Sequence, residues 1–143
     1  MTTVTEYPGA AAPAAVNDPL GLGLLLDDGD LVVRNGSLAE VRGLANLVQA
    51  LTLSLLTPYG SDRFDGRYGL SVEGAFGAPG GLPAVRELLR LEIVRTLAAD
   101  PRVNEVTAVT FTHPPDDRRK WTVEVVVETV DGRTTAVSAD LEV

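Results

Sequence analysis

Apolar residues recur at helical spacing in the middle of the chain and form one stripe. The stripe consists of Val41, Leu44, Val48, Leu51 and Leu55, with Leu47 alongside. Ser37 and Glu40 stand in front of it as a capping box, which predicts that the helix begins there. Pro58 disfavours helical geometry at Thr57, so we expect the helix to end at that residue.

A second apolar face at helical spacing lies between Pro83 and Ala99. Proline suits the first turn of a helix, and Asp100-Pro101 disfavours its continuation. The apolar residues of this face are Val85, Leu88, Leu89, Ile93 and Leu97. We therefore predict a second helix over this range.

Alternating apolar and polar residues predict three strands in the last third of the chain, over residues 106–112, 121–130 and 135–143. Asp131-Gly132 favours a tight hairpin turn between the last two strands. One face of each strand is polar, which is typical of an antiparallel sheet with one side in water. The pattern predicts a three-stranded antiparallel meander.

Near the N-terminus, Asp28-Gly29 predicts a tight turn between two short strands, at residues 24–26 and 31–34. Residues 1–20 are rich in Ala, Thr and Pro, which predicts a flexible N-terminal arm. An arm that orders against a neighbouring subunit is the alternative. Together the elements predict an α+β fold: two main helices packed on one face of a small antiparallel sheet, which consists of the meander and the N-terminal hairpin. We expect residues 21–143 to form a single domain.

Composition narrows the classes of function. The chain has 143 residues and a net charge of -8, which argues against nucleic acid or an anionic membrane surface as a partner. It contains no cysteine, so disulfides and cysteine-based zinc sites are excluded. The sequence has no secretory leader pattern and no apolar run of the ~20 residues that span a bilayer. We expect assembly in the cytoplasm.

Candidate chemistry is sparse. The single histidine, His113, is followed by two prolines in a polar loop, which does not suit the base of a nucleophilic triad. No pair of carboxylates stands at the helical spacing of a metal site. We therefore predict no catalytic residue, no cofactor and no metal.

The order of several polar and glycine residues resembles the small baseplate-wedge proteins of contractile tails, which occur in T-even-like phages, type VI secretion systems and extracellular contractile injection systems. The matching positions are Asn46, Gln49, Leu56, Thr57, Gly60, Tyr68, Gly69 and the tripeptide Asp100-Pro101-Arg102. The resemblance covers roughly residues 27–143. Residues 61–64 fit the family's loop only loosely, and we assign no contact there.

The resemblance implies that Asp100, Pro101 and Arg102 contact the large baseplate wedge subunits, with Asn46 and Gln49 on the helix as further wedge contacts. Arginine offers a planar fork to a carboxylate or to carbonyl groups. From the residues alone, the alternative is that Asn46 and Gln49 are solvated and that the tripeptide is a helix stop with an exposed arginine.

The last predicted strand ends at the chain terminus and is expected to be an edge strand. It lacks the lysine or proline that usually protects such an edge, so it invites strand addition by another chain. The residues concerned are Val137, Ser138, Ala139, Asp140 and Leu141. The resemblance implies that the added strand belongs to a sheath subunit, while an edge protected by charge or by the N-terminal hairpin is the alternative.

The sequence therefore predicts a structural baseplate component of a contractile injection particle, which joins the wedge core and templates the first sheath ring. Its partners would be wedge and sheath subunits, with the inner tube or hub as a further candidate, in six copies per particle as the resemblance implies. The alternative is a soluble adaptor or assembly chaperone outside the particle. Relatives of this family have carried a lysozyme label, but no two carboxylates here, Glu73 and Glu92 included, are expected to flank a cleft as glycoside hydrolysis requires.

Overall fold

A computed structural model describes residues 18–113, 116–117 and 119–142. Residues 1–17, most of the predicted arm, lie outside the described residues. The chain divides into two compact units, which meet in sequence between Ala50 and Leu51. The single domain predicted over residues 21–143 stays a prediction. Leu20, the last residue of the predicted arm, is fully buried.

The first unit is a nested set of short antiparallel strand pairs. The outer pair joins β1 (Leu22–Leu24) to β6 (Glu40–Arg42), and between them lie β2 (Leu26–Asp27), β3 (Asp30–Leu31), β4 (Val33–Arg34) and β5 (Ser37–Leu38). The predicted hairpin at Asp28-Gly29 is confirmed as the β2–β3 pair. Both turn residues have positive φ, 49° and 87°, as a type I′ turn requires.

A second hairpin corrects the predicted start of the central helix. Asn35 and Gly36 also have positive φ, 51° and 78°, and they join β4 to β5 in a two-residue turn. Ser37 therefore belongs to a strand, and the predicted capping box is wrong because its two residues continue the ladder. Helix α1 runs from Gly43 to Leu56, and Gly43, with φ of 62°, turns the chain out of β6.

The second unit contains two helices and the meander. Helix α2 (Glu73–Phe76) is short, and α3 (Gly81–Ala98) confirms the second predicted helix within two residues. The buried residues of α3 are Val85, Leu89, Ile93 and Leu97, whereas Leu88 of the predicted face is exposed. Helix α3 packs against the first strand of the sheet and against α2.

The three C-terminal strands confirm the predicted meander and the α+β class. They are β7 (Val103–Thr112), β8 (Lys120–Thr129) and β9 (Thr134–Glu142), in the order β7-β8-β9 with β8 in the centre. Alternate residues of β8 and β9 are buried, from Trp121 to Thr129 and from Val137 to Leu141. The register of β8 and β9 is unbroken over nine residue pairs, whereas that of β7 shifts twice.

Two phenylalanines and the histidine surround the single tryptophan at one end of the meander. Trp121 is buried and makes edge contacts with the rings of Phe76 and Phe111, whose centroids lie 6.0 and 5.9 Å away. The His113 ring is tilted against the same indole, with its centroid 5.3 Å away. These rings add packing area to an otherwise aliphatic core.

Candidate partner-binding surfaces

Two polar side chains of α1 hold strands of the first unit. The Asn46 side chain is only 6% exposed, and its Nδ2 donates to the carbonyl oxygen of Leu20 at 2.9 Å. The Gln49 amide accepts from the N–H of Leu26 at 2.9 Å and donates to the carbonyl of Leu24 at 2.7 Å. These bonds engage backbone groups just before β1, at its last residue and at the first residue of β2.

The placement of Asn46 excludes the interpretation of a solvated side chain. A Cβ at Gly23 would lie 2.6 Å from Asn46 Oδ1, so any other residue there would require the Asn46 amide to shift. The predicted wedge contacts through Asn46 and Gln49 stay a prediction, and both amides are engaged within this chain. No local pattern in the sequence indicates these partners, because they lie more than twenty residues away.

The matching residues after α1 close a compact connector. Thr57 ends the helix, with its Oγ1 donating to Leu53 O at 2.6 Å. The segment 57–60 is joined to residues 68–70 by backbone bonds from Leu70 N to Thr57 O, from Tyr59 N to Leu70 O and from Gly60 N to Tyr68 O, of 2.8, 3.1 and 3.1 Å. Gly69 adopts φ of 103°, and its carbonyl faces Thr96 of α3. The connector therefore has one fixed path.

The tripeptide 100–102 forms the turn between α3 and β7. The N–H of Val103 donates to Asp100 O at 3.0 Å, and Pro101 occupies the second position, which suits a β-turn. Arg102 donates from Nε and Nη2 to the two oxygens of Asp100, at 2.9 and 2.7 Å. The predicted fork of Arg102 is thus engaged by its own chain, and the alternative of an exposed arginine is excluded, since only 25% of its side chain is accessible.

This ion pair governs the electrostatics of the turn. Burial raises the pKa of the Asp100 carboxyl, but hydrogen bonds from the side chain and backbone of Arg102 and its positive charge more than offset this, so the pKa lies below 3.8. Burial also raises the pKa of the Tyr68 phenol, a hydrogen bond with Thr57 lowers it, and the charges of Asp62 and Asp100 raise it further. The wedge contact of residues 100–102 stays a prediction.

The outer edge of β9 is regular. Thr129 N–H donates to Arg133 O at 2.8 Å at the hairpin end, and the register continues without a shift to Glu142. Because bonded and non-bonded pairs alternate in an antiparallel ladder, the odd-numbered residues of β9 bond to β8. The even-numbered residues direct N–H and C=O groups outward. In the part of the chain that the structure describes, no strand pairs with this edge.

The side chains of β9 alternate in step with its backbone. Val137, Ala139 and Leu141 are buried on the dry face. Ser138 and Asp140 are exposed on the wet face, where Asp140 accepts from Thr122 Oγ1 at 2.7 Å. The five predicted strand-addition residues therefore lie together on one edge strand. Whether another chain pairs there stays a prediction.

The edge of β7 differs in two respects. Its register with β8 shifts between Val103 and Glu105 and again between Val106 and Ala108. Arg90 Nη1 of α3 also donates to Val109 O at 3.1 Å, which engages a carbonyl on the outer side of this strand. Bulges and a covering side chain are common ways of protecting a sheet edge. The meander thus has one protected edge and one regular edge.

Candidate catalytic groups are not assembled into a site. Glu73 is exposed at the start of α2, and Glu92 accepts from Arg95 at 2.8 Å on the surface of α3. Among the described residues, no three His, Asp or Glu side chains are grouped to hold a metal. None of the described helices is both long and apolar enough to cross a bilayer. The absence of an enzymatic role stays a prediction.

Known proteins resemble this chain at two levels, a family and a fold. Residues 22–132 match the family described as contractile injection system sheath initiator. No curated protein gives a match. A solved structure of a Geobacter sulfurreducens protein described as a tail lysozyme is similar, with a TM-score of 0.55 and 13% identity, over 69% of this chain and 89% of that chain. At this identity the likeness shows the fold alone.

Proposed function

The chain belongs to the contractile injection system sheath initiator family, and we propose that it initiates the sheath by accepting a strand of the first sheath subunit along β9. The family match supports a structural role with sheath and baseplate components. The match ends at residue 132, before β9 begins, so the argument for strand addition depends on the sheet itself. The observation that carries it is the regular outer edge of β9, with which no strand of the described residues pairs.

The free energy of such an addition would come mainly from the backbone. The even-numbered residues from Thr134 to Glu142 present outward N–H and C=O groups, and each hydrogen bond to an added strand contributes about 1 kcal/mol net. The main chain supplies affinity without demanding a specific sequence, while the side chains set the register. An added strand would meet apolar Val137, Ala139 and Leu141 on one face and Asp140 on the other.

The same chain would be held at the baseplate by its turn at residues 100–102. The Asp100–Arg102 pair fixes the turn and leaves Pro101 exposed at its tip. A rigid exposed turn loses little conformational entropy on binding. We therefore assign the wedge contact to this turn rather than to Asn46, whose side chain is buried. In this role the protein is a structural component and no catalytic step is required of it.

The test combines location with a variant. Purified sheath-containing particles from the source organism should contain the chain at the baseplate end, by mass spectrometry and labelled electron microscopy. Ser138→Pro removes one outward N–H without removing a bond to β8. Baseplates that carry it should then nucleate sheath several-fold less often, whereas Ser138→Thr, which keeps the N–H, should behave as wild type.

Two results would contradict the proposal. Finding the chain only in the soluble fraction would favour an adaptor or chaperone that never enters a particle. Normal sheath nucleation by folded Ser138→Pro protein would leave the family role standing but exclude β9 as the template.

A further inference from the structure

The loop between the two halves of the connector is held in one conformation. Asp62 Oδ1 accepts the N–H groups of Phe64 and Asp65, each at 2.8 Å. Asp65 Oδ1 accepts the N–H of Arg67 at 2.9 Å, and Asp65 O accepts the N–H of Tyr68 at 3.1 Å. Both carboxylates of the loop are thus engaged with its own backbone. The side chains between them are presented from a fixed scaffold.

Phe64 projects from this scaffold almost completely into solvent. Its exposed fraction is 95%, while the next most exposed large apolar residue among those that the structure describes, Val33, reaches 64%. Removing a phenylalanine ring from water is favourable, and an exposed ring does not gain this free energy. Such exposure is therefore unfavourable for the isolated chain. Nothing in the fold of the loop requires an aromatic residue here, because the Asp62 bonds reach only the backbone of residue 64.

Two arginines flank this ring. Arg63 and Arg67 are exposed, and neither forms an ion pair with any residue that the structure describes. Most other described arginines do pair with a carboxylate, including Arg42, Arg90 and Arg95. Aromatic residues and arginine are enriched among the residues that dominate protein interfaces. A partner surface complementary to this loop would be an apolar pocket with carboxylates on its rim.

The connector that carries this loop contacts α3, because Thr96 Oγ1 donates to Gly69 O at 3.4 Å. Helix α3 ends at Ala98, just before the turn that the proposed function assigns to the baseplate. Gly60 and Tyr68 close the loop through a backbone bond of 3.1 Å. Since the loop has as many aspartates as arginines and the chain carries a net charge of -8, an anionic membrane is the less favourable partner.

We propose that Phe64 is an anchor that inserts into an apolar, acid-rimmed pocket of the baseplate protein next to this chain, with Arg63 and Arg67 pairing with the rim. The inference rests on the proposed function, because it takes a baseplate protein as the partner.

The test uses the full chain in assembled particles. A photo-crosslinking phenylalanine analogue at position 64 should form crosslinks to one baseplate protein, at a peptide with apolar residues next to Asp or Glu. The same analogue at position 33, on the first unit, is the matched control and should give no crosslink to that peptide. When wild type and Phe64→Ala are co-expressed equally, the variant should be depleted about 10- to 100-fold in particles.

Phe64→Tyr should be incorporated nearly as well as wild type, and Arg63→Glu with Arg67→Glu should be depleted. Circular dichroism should show that all these variants fold. Equal incorporation of Phe64→Ala, or crosslinks only to sheath or to a second copy, would overturn the inference and leave sheath initiation standing. Sedimentation with phosphatidylserine vesicles that depends on Phe64 would overturn it in favour of a membrane. Absence of the chain from particles would overturn the inference and the proposed function together.

Discussion

Replacing Gly69 with alanine should destabilise the second unit more than any other glycine substitution with a comparable backbone conformation. Gly69 has φ of 103°, and a Cβ built there would lie 2.8 Å from Pro58 O, 2.9 Å from Pro58 C and closer still to Thr57 O. These are backbone atoms, so no side chain can rotate to make room. The same Thr57 carbonyl accepts the N–H of Leu70 at 2.8 Å, which fixes it in place.

The loss of stability expected for Gly69→Ala is the sum of two contributions. The left-handed conformation costs an alanine roughly 1–2 kcal/mol. Relief of the overlap requires the segment 57–60 to move from residues 68–70, which weakens the bonds from Leu70 N and Tyr59 N, and each is worth about 1 kcal/mol. The free energy of unfolding should therefore fall by about 3–4 kcal/mol.

Urea denaturation followed by tryptophan fluorescence is the appropriate assay, because the single tryptophan, Trp121, is buried in the same unit. Gly132→Ala is the matched control: its φ is 85° and no atom lies within 4 Å of the added Cβ. That variant should lose only the conformational term, about 1–2 kcal/mol. Equal losses for the two variants would refute the argument that the close approach at Gly69 fixes the connector.

Three further predictions concern the polar residues of the two units. Asn46→Ala should lower the free energy of unfolding by about 1–3 kcal/mol, because it removes the buried hydrogen bond from Asn46 Nδ2 to the Leu20 carbonyl; urea denaturation measures it, and a loss below 0.5 kcal/mol would contradict it. Because folding lowers the pKa of Asp100 below 3.8, the ion pair stabilises the fold fully above that pH and less as the pH falls further, so unfolding of Asp100→Asn should depend less on pH there than wild type. Arg102→Ala should weaken copurification with wedge subunits while the isolated chain still folds, and unchanged copurification would exclude the turn as a wedge contact.

The sheet and the second long helix could be predicted because their signals are local and repeated. Alternation over nine or ten residues identified β8 and β9, and the Asp131-Gly132 turn fixed their connection. The start of α1 could not be placed because two local signals competed. Ser37 and Glu40 form a good capping box, but Asn35-Gly36 is a strong hairpin turn, and the strands it joins extend to Arg42.

The contacts of polar residues were harder to predict, because no periodic pattern in the sequence indicates their partners. Asn46 lies on a helix with Gln49, yet each bonds to backbone groups of strands more than twenty residues earlier. The planar guanidinium of Arg102 suits contact with a partner protein, but it bonds to Asp100, only two residues away. Phe64 carries no periodic signal at all, and only the structure shows that its ring is exposed.

The difference between the two edges of the meander would affect the direction in which a sheath grows. A sheath that begins at a baseplate must extend to one side only. If the first sheath strand pairs with β9, then a second open edge on β7 would permit pairing in the wrong direction or between copies of this chain. The register shifts of β7 and the bond from Arg90 to Val109 O protect that edge. The asymmetry of this small sheet would thus make the sheath grow in one direction, because β9 can accept an added strand whereas the edge of β7 is protected.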